Sequence, residues 1–346
     1  MSKTLQDYAT LINDTIQSNE INHYITTDNM CQNLGGIDTF KNINIPQGKV
    51  RSFQKDDVLL SNIRLYFRKV YRAKQKGGCS SDVLVFRAKH IDSATLFAIL
   101  SSQIFTDYAC SGSQGSKMPR GNKTHMMDFK IPTINFTIAK IFNSIQNKIE
   151  NNHKINELLH TLAYKVYEHY FKYKPKNAKL EQIIIENPKS SIMVKNAQKT
   201  QDKYPFFTSG DNILSYPKAI IDGRNCFLNT GGNAGIKFYV GKASYSTDTW
   251  CICANEFSDY LYLLLSSIKN HINQSFFQGT SLKHLQKNLL KKYPIYMPSA
   301  HEIKKFNQIM MPLLTLISIN TRTSKKLEQI RDFLLPLLLK QQVKPQ

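Results

Sequence analysis

The sequence predicts a mixed α/β protein of two similar halves, each a globule of short strands and helices followed by one long helix. Three observations predict it. Short segments recur at a steady offset, the hydrophobic period changes twice from strand-like runs to heptad spacing, and both halves are basic. The recurrence is the most specific. Residues 78–88 (GCSSDVLVFRA) return as 243–254 (ASYSTDTWCICA) and Leu100-Ser101-Ser102 returns as Leu265-Ser266-Ser267. Gln114-Gly115-Ser116 returns as Gln278-Gly279-Thr280, and Lys140-Ile141-Phe142-Asn143 as Lys304-Lys305-Phe306-Asn307. Aligned on Asp82 and Asp248, Leu100 and Leu265, Gln114 and Gln278, and Asn143 and Asn307, the offsets are 166, 165, 164 and 164. Chance matches scatter in offset, whereas these keep one register. Solenoid repeats run ~20–50 residues, so this long period marks a duplicated globule-plus-helix unit, a pseudo-twofold internal repeat.

A chain of 346 residues has room for two domains with proper cores. Its hydrophobic fraction of 41% lies above disordered composition. The net charge is +21, split +8 up to Tyr173 and +13 after it. Positive charge spread over both halves suits a phosphate-bearing partner, because each neutralised phosphate releases condensed counterions. A lysine-rich surface with no such partner is the plainer reading of the charge taken alone. The six cysteines show neither C-x-x-C spacing nor a histidine pairing suited to zinc, and Cys251 and Cys253 read as small core residues in a reducing compartment. The first ten residues lack an apolar signal core, and runs such as 333–339 are too short to span a bilayer. A soluble, cytoplasmic protein with no membrane partner is expected.

The first globule is expected over 1–133. Residues 57–61, 69–72 and 83–87 read as strands, punctuated by turns at Gly35-Gly36, Pro46-Gln47-Gly48 and Gly77-Gly78. Residues 94–105 read as one amphipathic helix, and 111–123 (SGSQGSKMPRGNK) as a polar, basic loop. A long helix follows over 134–173, with Ile138, Ile141, Ile145, Lys148, Asn152, Ile155, Leu159, Leu162 and Val166 as its heptad seam. A helix of ~30–35 residues at ~1.5 Å per residue would be roughly 50 Å long. Residues 172–179 read as a linker. The second globule is expected over 174–298, with strands at 219–221, 237–240 and 249–253, a helix at 257–268 and a second glycine-bearing basic loop at 277–288. The second long helix is expected over 299–342. Ser299 and Glu302 form a capping box at its start, Pro312 is expected to kink it, and its seam runs through Ile303, Phe306, Met310, Leu313 and Ile317. The seam is expected to slip near 320–324 and resume at Leu327, Ile330, Leu334 and Leu337. Each seam must bury itself against a partner, and the matching helix of the other half is the obvious one, as in a coiled coil.

Catalytic signatures are missing. The chain has no Pro-Pro, so the Asn-Pro-Pro-Tyr and Asp-Pro-Pro-Tyr motifs cannot occur. No dinucleotide or S-adenosylmethionine turn and no P-loop is present. The glycine-rich residues 229–235 read as a turn between strands. Asp82 and Asp248 recur in register, but neither has the second carboxylate and lysine that a nuclease needs, so both read as turn residues. His160 and His169 read as surface residues of the first long helix.

In its order of segments the chain resembles the specificity (S) subunit of type I restriction–modification systems. The resemblance is carried by residues 24–30 (YITTDNM), 57–61 (DVLLS) and 81–85 (SDVLV) in the first half, and 204–210 (YPFFTSG) and 221–225 (IDGRN) in the second. Residues 129–132 (FKIP) and 293–298 (YPIYMP) look like the family's proline-bearing lead into its two long helices. The first helix departs from the family in lacking the Glu-Gln pair usual at its start, leaving Thr133 or Asn135 as its cap. The resemblance implies two target-recognition domains separated by two long antiparallel helices, each reading half of a split DNA sequence. It implies a non-catalytic chain, partnered by double-stranded DNA and two methyltransferase (M) subunits, with a restriction (R) subunit as an optional partner. S-adenosylmethionine, ATP and magnesium are expected on the partner subunits only, and no cofactor on this chain.

Base-edge readout needs long polar side chains on loops that enter a groove. The candidates are Arg64, Tyr66, Arg68, Gln114, Ser116, Lys117, Arg120, Asn122 and Lys123 in the first half. In the second they are Ser209, Arg224, Asn225, Lys237, Gln278, Thr280, Ser281, Lys283 and Lys287. Two other readings stay open: a recognition chain with its own undetected methyltransferase or nuclease activity, and a coiled-coil dimeriser with an incidental basic surface.

Overall fold

The computed structural model describes residues 3–38, 43–131, 134–197, 203–210, 213–279 and 282–338. The chain divides into two compact units: one of residues 1–151 and 324–346, the other of residues 152–323. Both cuts fall inside the long helices, so each unit holds a strand-rich globule and one segment of each helix. Thr133, Thr280, Ser281 and the expected end of the last helix beyond 338 lie outside the described residues.

In the first unit a four-stranded antiparallel sheet runs Ala9–Ile12, Val83–Ala88, Val58–Ser61, Val70–Arg72 in spatial order. Its two central strands are apolar on both faces because both faces are covered. One side packs on the Ser93–Leu100 and Gln103–Ser111 helices through Val58, Leu60, Leu84 and Phe86. The other side packs through Leu59, Val83 and Val85 on Ile25, Phe53 and Cys79, which belong to a second sheet ordered Thr15–Gln17, Lys49–Phe53, Gly77–Cys79, Tyr24–Ile25. Gly77 and Gly78, expected in a turn, lie inside this strand. A Cβ at Gly78 would stand 2.5 Å from Ile21 and 2.7 Å from Val50, so the glycines are there for close strand approach.

The expected 94–105 helix is two helices. Ser102 breaks it: its Oγ accepts from the Phe105 amide at 3.2 Å, capping Gln103–Ser111. The first long helix spans Phe136–Tyr167, and Asn135 caps it by accepting from the Ile138 amide at 3.1 Å.

In the second unit the sheet runs Ile185–Glu186, Thr249–Cys253, Arg224–Asn229, Ile236–Val240, all antiparallel and in the same strand order as the first. The Ser258–Ser267 helix covers one face through Tyr260, Leu261, Leu264 and Leu265. Phe207 stacks on Phe227 on the other, with ring centroids 3.9 Å apart. Residues 219–221 form no strand, since only Ile221 makes a bridge, to Ala243. The expected linker at 172–179 is also structured. A π-type turn over Glu168–Lys172 ends the helix, and Ala178–Lys179 pairs with Pro294–Ile295. The second long helix spans Ala300–Leu338 and continues past Pro312. Its capping box is present: the Glu302 amide donates to Ser299 Oγ at 3.3 Å, and Glu302 Oε2 accepts from the Ser299 amide at 2.9 Å.

Both helix seams differ from expectation. On the first helix the buried positions are Ala139, Phe142, Gln146, Ile149, Asn152, Ala163 and Tyr167, while Ile141, Ile155 and Leu162 are exposed. On the second they are Ile303, Phe306, Met310, Leu314, Ile317, Ser318, Ser324, Arg331, Leu335 and Leu338. With half-buried Thr321 and Glu328 between them, the second seam keeps steps of three and four and does not slip. The physical cause is polar members. In the first unit Arg331 Nη1 donates to Gln146 Oε1 at 2.9 Å. In the second Asn320 Nδ2 donates to Asn156 Oδ1 at 3.0 Å, and Asn156 Nδ2 to Thr321 Oγ1 at 3.3 Å. Satisfied polar pairs hold these positions inside, where a count of apolar residues passes over them.

Candidate nucleic-acid interface

In the first unit the site grows from the connection after Val58–Ser61. A short 3-10 turn, Leu65–Phe67, is flanked by Arg64 at φ 51° and Arg68 at φ 49°, both left-handed and neither glycine. Such backbone is held by its surroundings. The Arg64 amide donates to Pro119 O at 2.9 Å and its Nη2 to Lys117 O at 3.3 Å. This ties the turn to the loop 114–120. The loop is closed by a reciprocal pair of backbone bonds between Gln114 and Arg120, at 2.9 and 2.8 Å, and Arg120 bridges to Ile63. The Arg120 guanidinium meets the Asp82 carboxylate at 3.0 Å, and Asp82 O accepts the Asn62 amide at 2.8 Å. Asn122 caps the Lys123–Met127 helix by accepting the His125 amide at 3.1 Å. Gln114, Ser116, Lys117, Arg120, Asn122 and Lys123 are all exposed, and so is Tyr66, edge-on to Phe67 at 4.7 Å.

The second unit repeats this plan. The connection after Arg224–Asn229 begins at Thr230, whose amide donates to Asp248 O at 3.2 Å, as Asn62 does to Asp82. Gly231 bridges to His284, as Ile63 does to Arg120. The hairpin of Phe277–Gln278 and His284–Leu285 pairs Gln278 with His284, six residues apart, as Gln114 and Arg120 are. The Gly232 amide donates to Lys283 O at 2.9 Å. Gln278, Lys283 and His284 are exposed.

The structure thus gathers Arg64, Gln114, Lys117 and Arg120 in one unit and Gln278 and Lys283 in the other, each set on the turn after the second strand of its sheet. Ser209 and Lys237 lie beneath the second turn but are engaged inward. Ser209 Oγ donates to Asp248 O and accepts the Thr230 amide, and Lys237 Nζ donates to Thr208 O at 2.8 Å. Arg68 turns inward too, Nη2 to Ser101 O at 2.9 Å. Lys287 lies over the Trp250 ring at 5.2 Å, and burial lowers its pKa. Arg224 and Asn225 sit at the far end of their strand, and the sheet uses both. Arg224 forms a two-bond ion pair with Asp259, and Asn225 is buried, accepting from Asn187 Nδ2 at 2.8 Å.

His160 is not a surface residue. It is half-buried with its ring 3.4 Å from the Tyr262 hydroxyl, and burial lowers its pKa. His169 is exposed. Among the described residues, no three His, Cys, Asp or Glu side chains converge as metal ligands. No described helix is long and apolar enough to cross a membrane.

The fold has a solved counterpart. Over 99% of this chain and 96% of the other, it superposes on the crystal structure of a type I restriction–modification system S subunit from M. genitalium, with a TM-score of 0.65 at 13% identity. An HsdS subunit from Thermoanaerobacter tengcongensis aligns over 97% of this chain and 95% of its own, at 13% identity and a TM-score of 0.37. A chain from a study of complex assembly and conformational transition of the type I R-M system aligns over 98% and 97%, at 12% and 0.37. No curated protein matches the chain. Residues 174–329 match the family described as the type I restriction modification DNA specificity domain.

Proposed function

We propose that the chain is the DNA sequence-specificity subunit of a type I restriction–modification complex, reading a bipartite target with one half-site per unit. The observation that carries this is the shared plan of the two units: one strand order, and one loop-on-turn arrangement presenting polar and basic side chains. Only residues 174–329 match the family, and the first unit's matching plan supports extending the role to 1–133. Residues 1–133 and 174–298 act as the target-recognition domains, and the helices over 134–173 and 299–342 as an antiparallel spacer between them. Half-sites one DNA turn apart lie ~34–36 Å from each other, a distance within the reach of helices of this length. The chain itself does no chemistry. Two methyltransferase subunits dock on it in the cytoplasm and bring S-adenosylmethionine. Restriction subunits, where present, bring ATP and magnesium chemistry.

The test is selection from a random DNA duplex pool by the chain co-purified with its methyltransferase subunits. Enrichment of a split motif supports the proposal, and no enriched motif at moderate salt overturns it. Neutralising Lys117, Arg120 and Lys123 together should weaken binding to all duplexes and flatten its salt dependence by about one unit of slope per lost phosphate contact.

A further inference from the structure

Each loop carries, at the same place, one large apolar side chain turned to solvent. Met118 stands four residues after Gln114 and is 53% exposed, and Leu282 stands four residues after Gln278 and is 58% exposed. The local backbone is matched as well. The residue after each glutamine is a glycine with positive φ, Gly115 at 98° and Gly279 at 141°. In each loop the carbonyl of the apolar residue turns back toward that glycine. A Cβ would lie 3.6 Å from Met118 O in the first loop and 2.4 Å from Leu282 O in the second. Glycine at each place therefore admits the carbonyl of the apolar residue beside it. Exposing a methionine or leucine gains nothing for the fold. Doing so twice, at equivalent positions, between a reciprocal Gln114–Arg120 neck and a Gln278–His284 neck, calls for a partner surface.

Resting on the DNA-reading role, we propose that Met118 and Leu282 are the apolar base-contacting residues of the two units, each setting one position of its own half-site. The flanking polar residues differ between the loops: Lys117 and Arg120 in one, Lys283 and His284 in the other. The apolar tip is shared. The partner chemistry common to both is therefore the uncharged face or methyl edge of a base. Side chains of this type contact the thymine methyl or wedge between base steps.

The experiment repeats the duplex selection with Met118→Ala and Leu282→Ala in the co-purified complex. Met118→Ala should relax one position in one half of the motif and lower affinity for the parental site about tenfold. The other half and the salt slope should not change, because no charge is lost. Leu282→Ala should do the same in the other half. Met118→Leu and Leu282→Met, which keep the apolar tip, should restore binding. Uracil in place of thymine at the relaxed position separates the two contacts: lost affinity assigns the methyl, while retained affinity with brighter 2-aminopurine at that step assigns a wedge. If the parent complex enriches no motif, the DNA-reading role itself fails. If the parent enriches a split motif and both alanine variants enrich it unchanged, this inference is wrong.

Discussion

Arg224 and Asp259 meet through two hydrogen bonds, Nε to Oδ1 at 2.6 Å and Nη2 to Oδ2 at 2.7 Å. Asp259 is 1% exposed at the start of a helix, and Arg224 also donates to Thr315 Oγ1 at 2.9 Å on the second long helix. Burial raises the Asp259 pKa against the opposing pull of the guanidinium. The pair therefore fastens sheet, covering helix and long helix within the second unit. Removing one partner of a buried pair strands the other. Arg224→Met should destabilise the second unit by about 3 kcal/mol. The single tryptophan, Trp250, lies on a neighbouring strand opposite Leu228, so its fluorescence in urea reads that unit. An unchanged midpoint with weakened DNA binding would return Arg224 to the interface.

Ser299→Ala removes the oxygen that receives the Glu302 amide. A lost cap of this kind costs about 1 kcal/mol. Ser299→Asp keeps an acceptor at the same place and should restore most of the loss. Urea midpoints of the three proteins, read at Trp250, check the order.

Much of the fold is legible in the sequence because local signals agree with the final packing. The strands at Val58–Ser61, Val83–Ala88 and Thr249–Cys253 lie where β-branched and aromatic runs place them, since both faces of those strands are covered. The helix seams escape a hydrophobic count because the buried stripe contains polar residues, among them Gln146 and Arg331, which bond to each other across 185 residues of sequence. Arg224 reads as a DNA contact for the same reason: nothing near it announces Asp259, 35 residues on. Polar composition marks the two loops, and attention to polar residues alone hides Met118 and Leu282. Their match is visible in the sequence, as residues 114–120 (QGSKMPR) and 278–284 (QGTSLKH) align without a gap.

His160 sits against Tyr262, and burial holds its pKa below the ordinary value of 6.5. Between the folded and unfolded values the unfolded chain binds more protons, so stability rises with pH there. The contribution is complete above the ordinary value and is lost as pH falls through the folded one. Urea midpoints of the second unit should drop from about pH 8 to about pH 5.5, and His160→Gln should make that drop shallower. An identical pH profile for the two proteins would place the titration elsewhere.

Arg331 is 3% exposed and joins three parts of the first unit. It donates Nη1 to Gln146 Oε1 at 2.9 Å, Nη2 to Asn33 O at 3.4 Å and Nε to Asp332 Oδ1 at 3.0 Å. Gln146 Nε2 in turn donates to Leu34 O at 3.0 Å, and Asn33 and Leu34 are both left-handed, with φ 53° and 62°. The two helix segments thus hold a strained loop in place through one polar cluster. Arg331→Leu leaves Gln146 Oε1 without its charged donor and should cost roughly 3 kcal/mol. Adding Gln146→Leu replaces both partners with apolar groups, so the double variant should lose less than the sum of the singles. Amide exchange at Phe142 and Leu335 reads the stability of this unit. Strict additivity of the two substitutions would mean that the cluster does not act as one.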